Sequence, residues 1–137
     1  MSSVGAVMVV ADASAVVELL LRTPRATSVE DVLADPESDV HVPALCDVEV
    51  AAALRRLVLS GVVSPRRCAE ALADYGDLPV TRHGHLALLG RILELRENLT
   101  AYDAAYVALA ERLGAMLLTA DDRLRRAVAT HTRVPLD

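Results

Sequence analysis

Lysine, phenylalanine and tryptophan are all missing from this 137-residue chain, and three tyrosines are its only benzene-ring side chains. Any core must therefore be aliphatic, and few ring faces are available on which unpaired bases could stack. Every one of the 14 basic side chains is arginine. A phosphoacceptor receiver domain and a haloacid-dehalogenase-type phosphatase both need a lysine beside their strand-end acids, so both are excluded. The phosphatase would also need Asp-x-Asp after the first strand, where this chain has Ser14. Cysteine is scarce. Cys46 and Cys68 lie 22 positions apart in apolar surroundings, a spacing that fits no zinc pattern and reads as buried or half-buried thiols. The histidines His41, His83, His85 and His131 have no zinc-helix spacing and read as surface or turn residues. A clean long apolar run is also lacking. Val4 to Leu21 comes nearest, but Asp12 and Glu18 interrupt it and no basic residue precedes it. A membrane span of about 20 apolar residues is excluded, a secretory signal is not expected, and the expected location is the cytoplasm. A net charge of −5 and a pI near 5.3 exclude a surface that grips nucleic acid broadly; any such site must be local.

What is present is aliphatic: hydrophobic residues make up 53% of the chain, enough for a core without staples. The length fits one domain, residues 1–137. Short apolar runs alternate with helical patterns, which predicts an α/β fold with a mainly parallel sheet of about five strands flanked by helices. Strands are expected at Val7–Ala11, Val40–Val42, Leu78–Thr81, Ala115–Leu118 and near Arg133–Val134. Helices are expected at Ala13–Leu21, Ala26–Leu33, Pro43–Ser60 (stopped by Gly61), Ser64–Tyr75, Gly84–Leu95, Ala101–Leu113 (stopped by Gly114) and Asp122–Ala129.

Within this pattern Asp12, Glu49, Asp103 and Asp121 stand apart. Asp12 ends the first apolar run, where open α/β sheets place their sites, and it could equally cap the next helix. Ser14 could orient its carboxylate. Glu49 has Leu45, Cys46, Ala52 and Ala53 three and four residues away, so no local ion pair accounts for it; it is either at the edge of a solvated face or held for a purpose. Asp47 belongs to the first helical turn, where the dipole favours anions. Thr100-Ala101-Tyr102-Asp103 has capping-box form, and Thr119 or Asp121 could cap the last helix. Asp122 reads as an outer partner of Asp121 or a helix-start charge.

Taken together and in order, these acids resemble the PIN-domain family, specifically the VapC-type toxins of bacterial toxin–antitoxin pairs. The resemblance rests on Val9-Val10-Ala11-Asp12-Ala13-Ser14-Ala15, on Asp47-Val48-Glu49-Val50-Ala51-Ala52-Ala53-Leu54-Arg55, on the stretch from Leu99 to Ala110 containing Thr100-Ala101-Tyr102-Asp103-Ala104-Ala105-Tyr106, and on Leu117-Leu118-Thr119-Ala120-Asp121-Asp122-Arg123-Leu124. It covers nearly the whole chain. It implies a three-layer sandwich with Asp12, Glu49, Asp103 and Asp121 as catalytic acids at the carboxyl edge of the sheet. Asp12, Asp103 and Asp121 are then the metal ligands, supported by Ser14, Thr119 and Asp122. It further implies an endoribonuclease dependent on Mg²⁺ or Mn²⁺, usually a homodimer, held inactive by a co-expressed antitoxin. That antitoxin would lay a basic amphipathic strip against the first two helices and the Ser64–Tyr75 helix.

The chemistry agrees. Two unit charges 4 Å apart repel by about 4 kcal/mol at an effective dielectric near 20, so a carboxylate cluster calls for a hard cation. Cation-activated water needs no protein nucleophile. Arg22, Arg25 and Arg123 are the candidate RNA-phosphate contacts, which would give affinity without sequence choice. Two further readings stay open: a PIN nuclease of RNA processing with no antitoxin, and a PIN-like module that binds without cutting.

Overall fold

The computed structural model describes residues 7–24 and 26–137. The expected strand at the N-terminus is β1, Val7–Ala11. Its last three residues, Val9, Val10 and Ala11, are fully buried, as a parallel strand covered on both faces requires. It is followed by α1 (Ala13–Leu21), α2 (Ala26–Leu33), β2 (Ser38–Pro43), α3 (Leu45–Leu59), α4 (Pro65–Asp77), β3 (Thr81–His83), a 3₁₀ turn (Leu86–Leu88), α5 (Leu89–Glu94), α6 (Ala101–Leu113), β4 (Met116–Leu118) and α7 (Asp122–His131).

Among the described residues the sheet has four parallel strands in the order β3-β2-β1-β4. The chain builds outward from β1 through β2 to β3. It then crosses back through α5 and α6 and adds β4 on the other side of β1. The reversal makes the carboxyl ends of β1 and β4 a topological switch point, where open α/β sheets leave a crevice. Val10↔Leu117 and Ala11↔Leu118 set the register there, so the residues following both strands emerge side by side. Helices cover the sheet. Val9 and Leu118 pack with Ala15 of α1 and Val29 of α2, while Val10 and Leu117 join a larger cluster with Tyr106, Val107 and Leu109 of α6.

Helix stops follow local chemistry. Gly61 (φ +77°) and Gly114 (φ +64°) take the left-handed conformation that ends α3 and α6, as expected of glycine there. Prolines account for two departures from expectation. Pro79 cannot donate to a ladder, so β3 starts at Thr81 instead of Leu78. The expected strand near Arg133–Val134 shrinks to a single bridge, Leu117↔Leu136. The Pro135 carbonyl accepts from the Leu117 N–H at 2.8 Å, but Pro135 has no N–H with which to extend the pairing. Pro43, expected to open α3, instead ends β2 opposite His83. The helix expected from Gly84 begins as the 3₁₀ turn.

His41 departs from the surface-or-turn reading, while His131 is exposed as expected. His41 is buried, and its Nδ1 lies 2.8 Å from His83 Nε2, tying β2 to β3. His85 Nε2 accepts the Leu45 N–H at the start of α3. These are joints of the scaffold at the β3 side of the sheet.

Candidate active site

Asp12 leaves β1 at the switch point, and its backbone N–H donates to the Leu118 carbonyl at 3.0 Å. The residue is 5% exposed. Oδ1 accepts from Ser14 Oγ (2.7 Å) and from the Ala15 N–H (3.0 Å), and Oδ2 accepts from Thr119 Oγ1 (2.6 Å). The capping reading of Asp12 holds: one oxygen caps α1. Three of a carboxylate's roughly four acceptor positions are used. Burial pushes the carboxyl above the usual carboxylate range. The hydrogen bonds from Thr119, Ser14 and Ala15 oppose that rise, and the nearby Asp121 charge adds to it.

The two hydroxyls work as relays between strands. Ser14 Oγ accepts the Ala120 N–H (2.9 Å) and Thr119 Oγ1 accepts the Asp121 N–H (3.0 Å). With lone pairs occupied by backbone N–H groups, their protons are directed to Asp12. The loop after β4 is thereby locked to the carboxylate after β1.

Asp121 caps α7, its Oδ1 accepting the N–H groups of Arg123 (2.9 Å) and Leu124 (3.2 Å). Asp122 opens that helix and is exposed. Asp103 lies in the first turn of α6, where Thr100 Oγ1 caps its N–H at 3.1 Å. Its side chain nevertheless reaches the same cleft. Glu49, half-buried on α3, is held by Tyr106 of α6, whose hydroxyl donates to Oε1 at 2.6 Å. Burial first, then the neighbouring Cys46 and Glu49, hold the Tyr106 phenol far above its ordinary range, so it stays protonated and remains a donor.

Asp12, Glu49, Asp103 and Asp121, from four different segments, thus line one open cleft of about 350 Å³, with Ser14, Ala52, Ala53, Arg56 and Tyr106 among its other walls. Arg123 stands at the acids. Its Nη2 lies 2.9 Å from Asp103 Oδ2 and 3.4 Å from Asp121 Oδ2, so a guanidinium bridges two of the carboxylates. Arg22 stands at the opposite end of α1 from Asp12, 3.4 Å from Glu30, and Arg25 lies outside the described residues. Among the described residues no three acidic, histidine or cysteine side chains are drawn together closely enough to hold an ion. The donor set still fits a hard divalent cation in kind, being entirely carboxylate and hydroxyl oxygen. The bridging guanidinium shows that positive charge is accommodated between Asp103 and Asp121; an ion gathering those two acids with Asp12 requires Arg123 to yield.

Sequence reasoning missed Tyr106 and Arg56. Both were in principle signalled by helical spacing, since Tyr106 is three residues from Asp103 and Arg56 seven from Glu49.

The chain is similar to known proteins along most of its length. The model of the PIN domain matches residues 9–129. Ribonuclease VapC3 of Mycobacterium tuberculosis is 44% identical over 120 residues, covering 87% of this chain and 86% of that protein. Ribonuclease VapC12 of the same organism is 39% identical over 129 residues, covering 94% and 98%. The crystal structure of PAE2754 from Pyrobaculum aerophilum superposes with a TM-score of 0.68 at 25% identity, covering 98% of this chain and 87% of that one. The chain belongs to the PIN-domain family and, within it, to the VapC type.

Proposed function

We propose that this chain is a divalent-cation-dependent endoribonuclease, the toxin of a toxin–antitoxin pair, and that it hydrolyses RNA phosphodiesters at the acidic cleft. One observation carries the reading: carboxylates from four separate segments line a single open cleft at the switch point of the sheet. The ribonuclease names of its mycobacterial relatives support it. Oxygen-only donors favour Mg²⁺ or Mn²⁺.

Asp12, Asp103 and Asp121 are the residues that would hold the cation. When bound, such an ion supplies activation of water and stabilisation of the leaving oxygen. The remaining work belongs to the chain. Ser14 and Thr119 fix the plane of the Asp12 carboxylate and commit its inward lone pairs, so that its free acceptor position faces the cleft. Tyr106 occupies Glu49 Oε1, leaving Oε2 to take the proton of the attacking water. Arg123, released from Asp103 and Asp121, stays beside the cleft and balances phosphate charge. Arg22 would meet only an RNA that extends beyond the cleft.

The VapC-type assignment extends the proposal to a co-expressed antitoxin, a homodimer and a cytoplasmic setting. Leu72, exposed on α4, offers apolar area for an antitoxin strip laid along the first two helices and α4. Among the described residues no helix is long and apolar enough to cross a membrane.

The test is cleavage of a mixed RNA pool by purified protein in Mg²⁺, Mn²⁺ or EDTA, beside Asp12→Asn. Cutting is expected with either metal, none with EDTA, and at least about a hundredfold less with the variant. Asparagine caps helices as well as aspartate does, so the fold should survive. Equal cutting by variant and wild type would sink the site assignment. RNA that is bound with metal but never cut would indicate a binding module. Cleavage by a protein that never co-purifies with a neighbouring small gene product would indicate an RNA-processing nuclease.

A further inference from the structure

We infer that Arg56 is the residue that anchors RNA in the cleft, by holding a backbone phosphate that flanks the reacting one. This rests on the nuclease reading above and goes beyond it.

An acidic protein with an acidic cleft must still draw in a polyanion, and without lysine only arginine can do so. Most of the arginines near the acids are already committed. Arg123 is paired with Asp103 and Asp121, and Arg125 donates to the Thr119 carbonyl. Arg56 lines the cleft, is exposed, and has no carboxylate or carbonyl partner among the described residues. Its placement follows from α3. Glu49, Ala52, Ala53 and Arg56 recur at helical spacing along one face that lines the cleft. The two alanines form a floor with no side chain tall enough to obstruct a passing strand. Arg56 therefore stands two turns from Glu49, about 10 Å along the helix axis. A strand entering with its reacting phosphate at the acids would carry a neighbouring phosphate past the guanidinium. Contact with phosphate positions a nucleic acid without reading its bases, which suits a cleft lined by a single aromatic ring, Tyr106.

The test measures binding of a fluorescein-labelled single-stranded RNA of mixed sequence, by anisotropy in Mg²⁺ from low to moderate salt, on the non-cutting Asp12→Asn background. Arg56→Ala, Arg56→Lys and Arg96→Ala are added to that parent. Arg96 is exposed and outside the cleft, so its removal changes net charge equally without touching the proposed contact. Arg56→Ala is expected to bind about tenfold more weakly, with the slope of log affinity against log salt shallower by about 0.7 to 1. Arg56→Lys should recover most of that loss, and Arg96→Ala should stay close to the parent. In the cutting protein, Arg56→Ala should raise KM and leave kcat largely unchanged. Unchanged affinity and slope in Arg56→Ala would overturn the assignment, as would equal losses in Arg56→Ala and Arg96→Ala, which would mean a general field effect. If the wild-type protein cuts no RNA, the nuclease reading itself fails; cutting with no Arg56 effect removes only this inference.

Discussion

Asp12 and Asp47 are both aspartates at the start of a helix, and both accept hydrogen bonds from hydroxyl groups. Their surroundings separate them. Asp47, in the first turn of α3, accepts from Tyr75 Oη at 2.6 Å and from Arg82 Nε at 2.8 Å on the same oxygen. The Arg82 guanidinium also lies over the Tyr75 ring, 5.2 Å from its centre. Partial burial pushes the Asp47 carboxyl up, but the Tyr75 and Arg82 hydrogen bonds and the Arg82 charge outweigh it and hold the group below its ordinary range. Asp12 has only neutral donors, and burial wins. One cluster is closed in charge and joins α3, α4 and β3. The other is left electrically incomplete at an open cleft, which fits a site whose missing charge arrives with a ligand. Cys46 lies between the two regions, next to Tyr75 and Tyr106. Burial pushes its thiol up to about 11, so the link between them is a neutral one.

The contrast can be broken most severely at Thr119. Thr119→Val keeps the shape but removes the donor to Asp12 and the acceptor for the Asp121 N–H. Cleavage should fall by about 10- to 100-fold, as for other residues that orient ligands, and metal affinity measured by calorimetry should fall with it. Full activity in this variant would show that the hydroxyl relay is not needed to align Asp12. A smaller effect is expected at Tyr106→Phe, about tenfold in kcat, because Glu49 keeps its place but loses its orienting donor. An unchanged kcat would assign Tyr106 to packing alone.

The mildest test addresses stability, in EDTA, by urea denaturation across acid to neutral pH. The folded Asp47 pKa lies below its ordinary, unfolded value. Its stabilisation is therefore present above that value and lost as pH falls through the folded pKa. Asp47→Asn should cost about 0.5–1 kcal/mol at neutral pH, discounted for exposure, lose its acid-side dependence and leave cleavage unchanged. Asp12 has the opposite sign. Its folded pKa is raised, so its contribution to metal-free stability is present below the unfolded value and lost as pH rises through the folded one. Asp12→Asn should be at least as stable as wild type at neutral pH without metal. Equal destabilisation by the two substitutions would erase the distinction between a closed and an open cluster.

Much of the fold was legible because its signals are local. β1, α1, α2 and α6 begin and end where an apolar run, a cap or a glycine says they should. β3 and the last strand were displaced because Pro79 and Pro135 remove donors whose absence matters only when a partner strand is present. The acids were legible for the same local reason, as helix caps and strand-end residues in a known order. Neither Tyr106 nor Arg56 could be read that way. Tyr106 sits in a buried alanine-rich helix and looks like core, and its bond to Glu49 spans 57 residues.

By itself the sequence determined the α/β alternation, the caps, the aliphatic core and the identity of the acids, because these depend on neighbours within one or two turns or one strand. The tertiary structure alone decided that β4 returns to the far side of β1, that the two hydroxyls lock Asp12 to the loop after β4, that Arg123 bridges two acids, and that Arg56 lines the cleft without a carboxylate partner among the described residues. Those outcomes depend on distances between segments remote in the chain, and such distances are set by helix and sheet packing that no local pattern encodes.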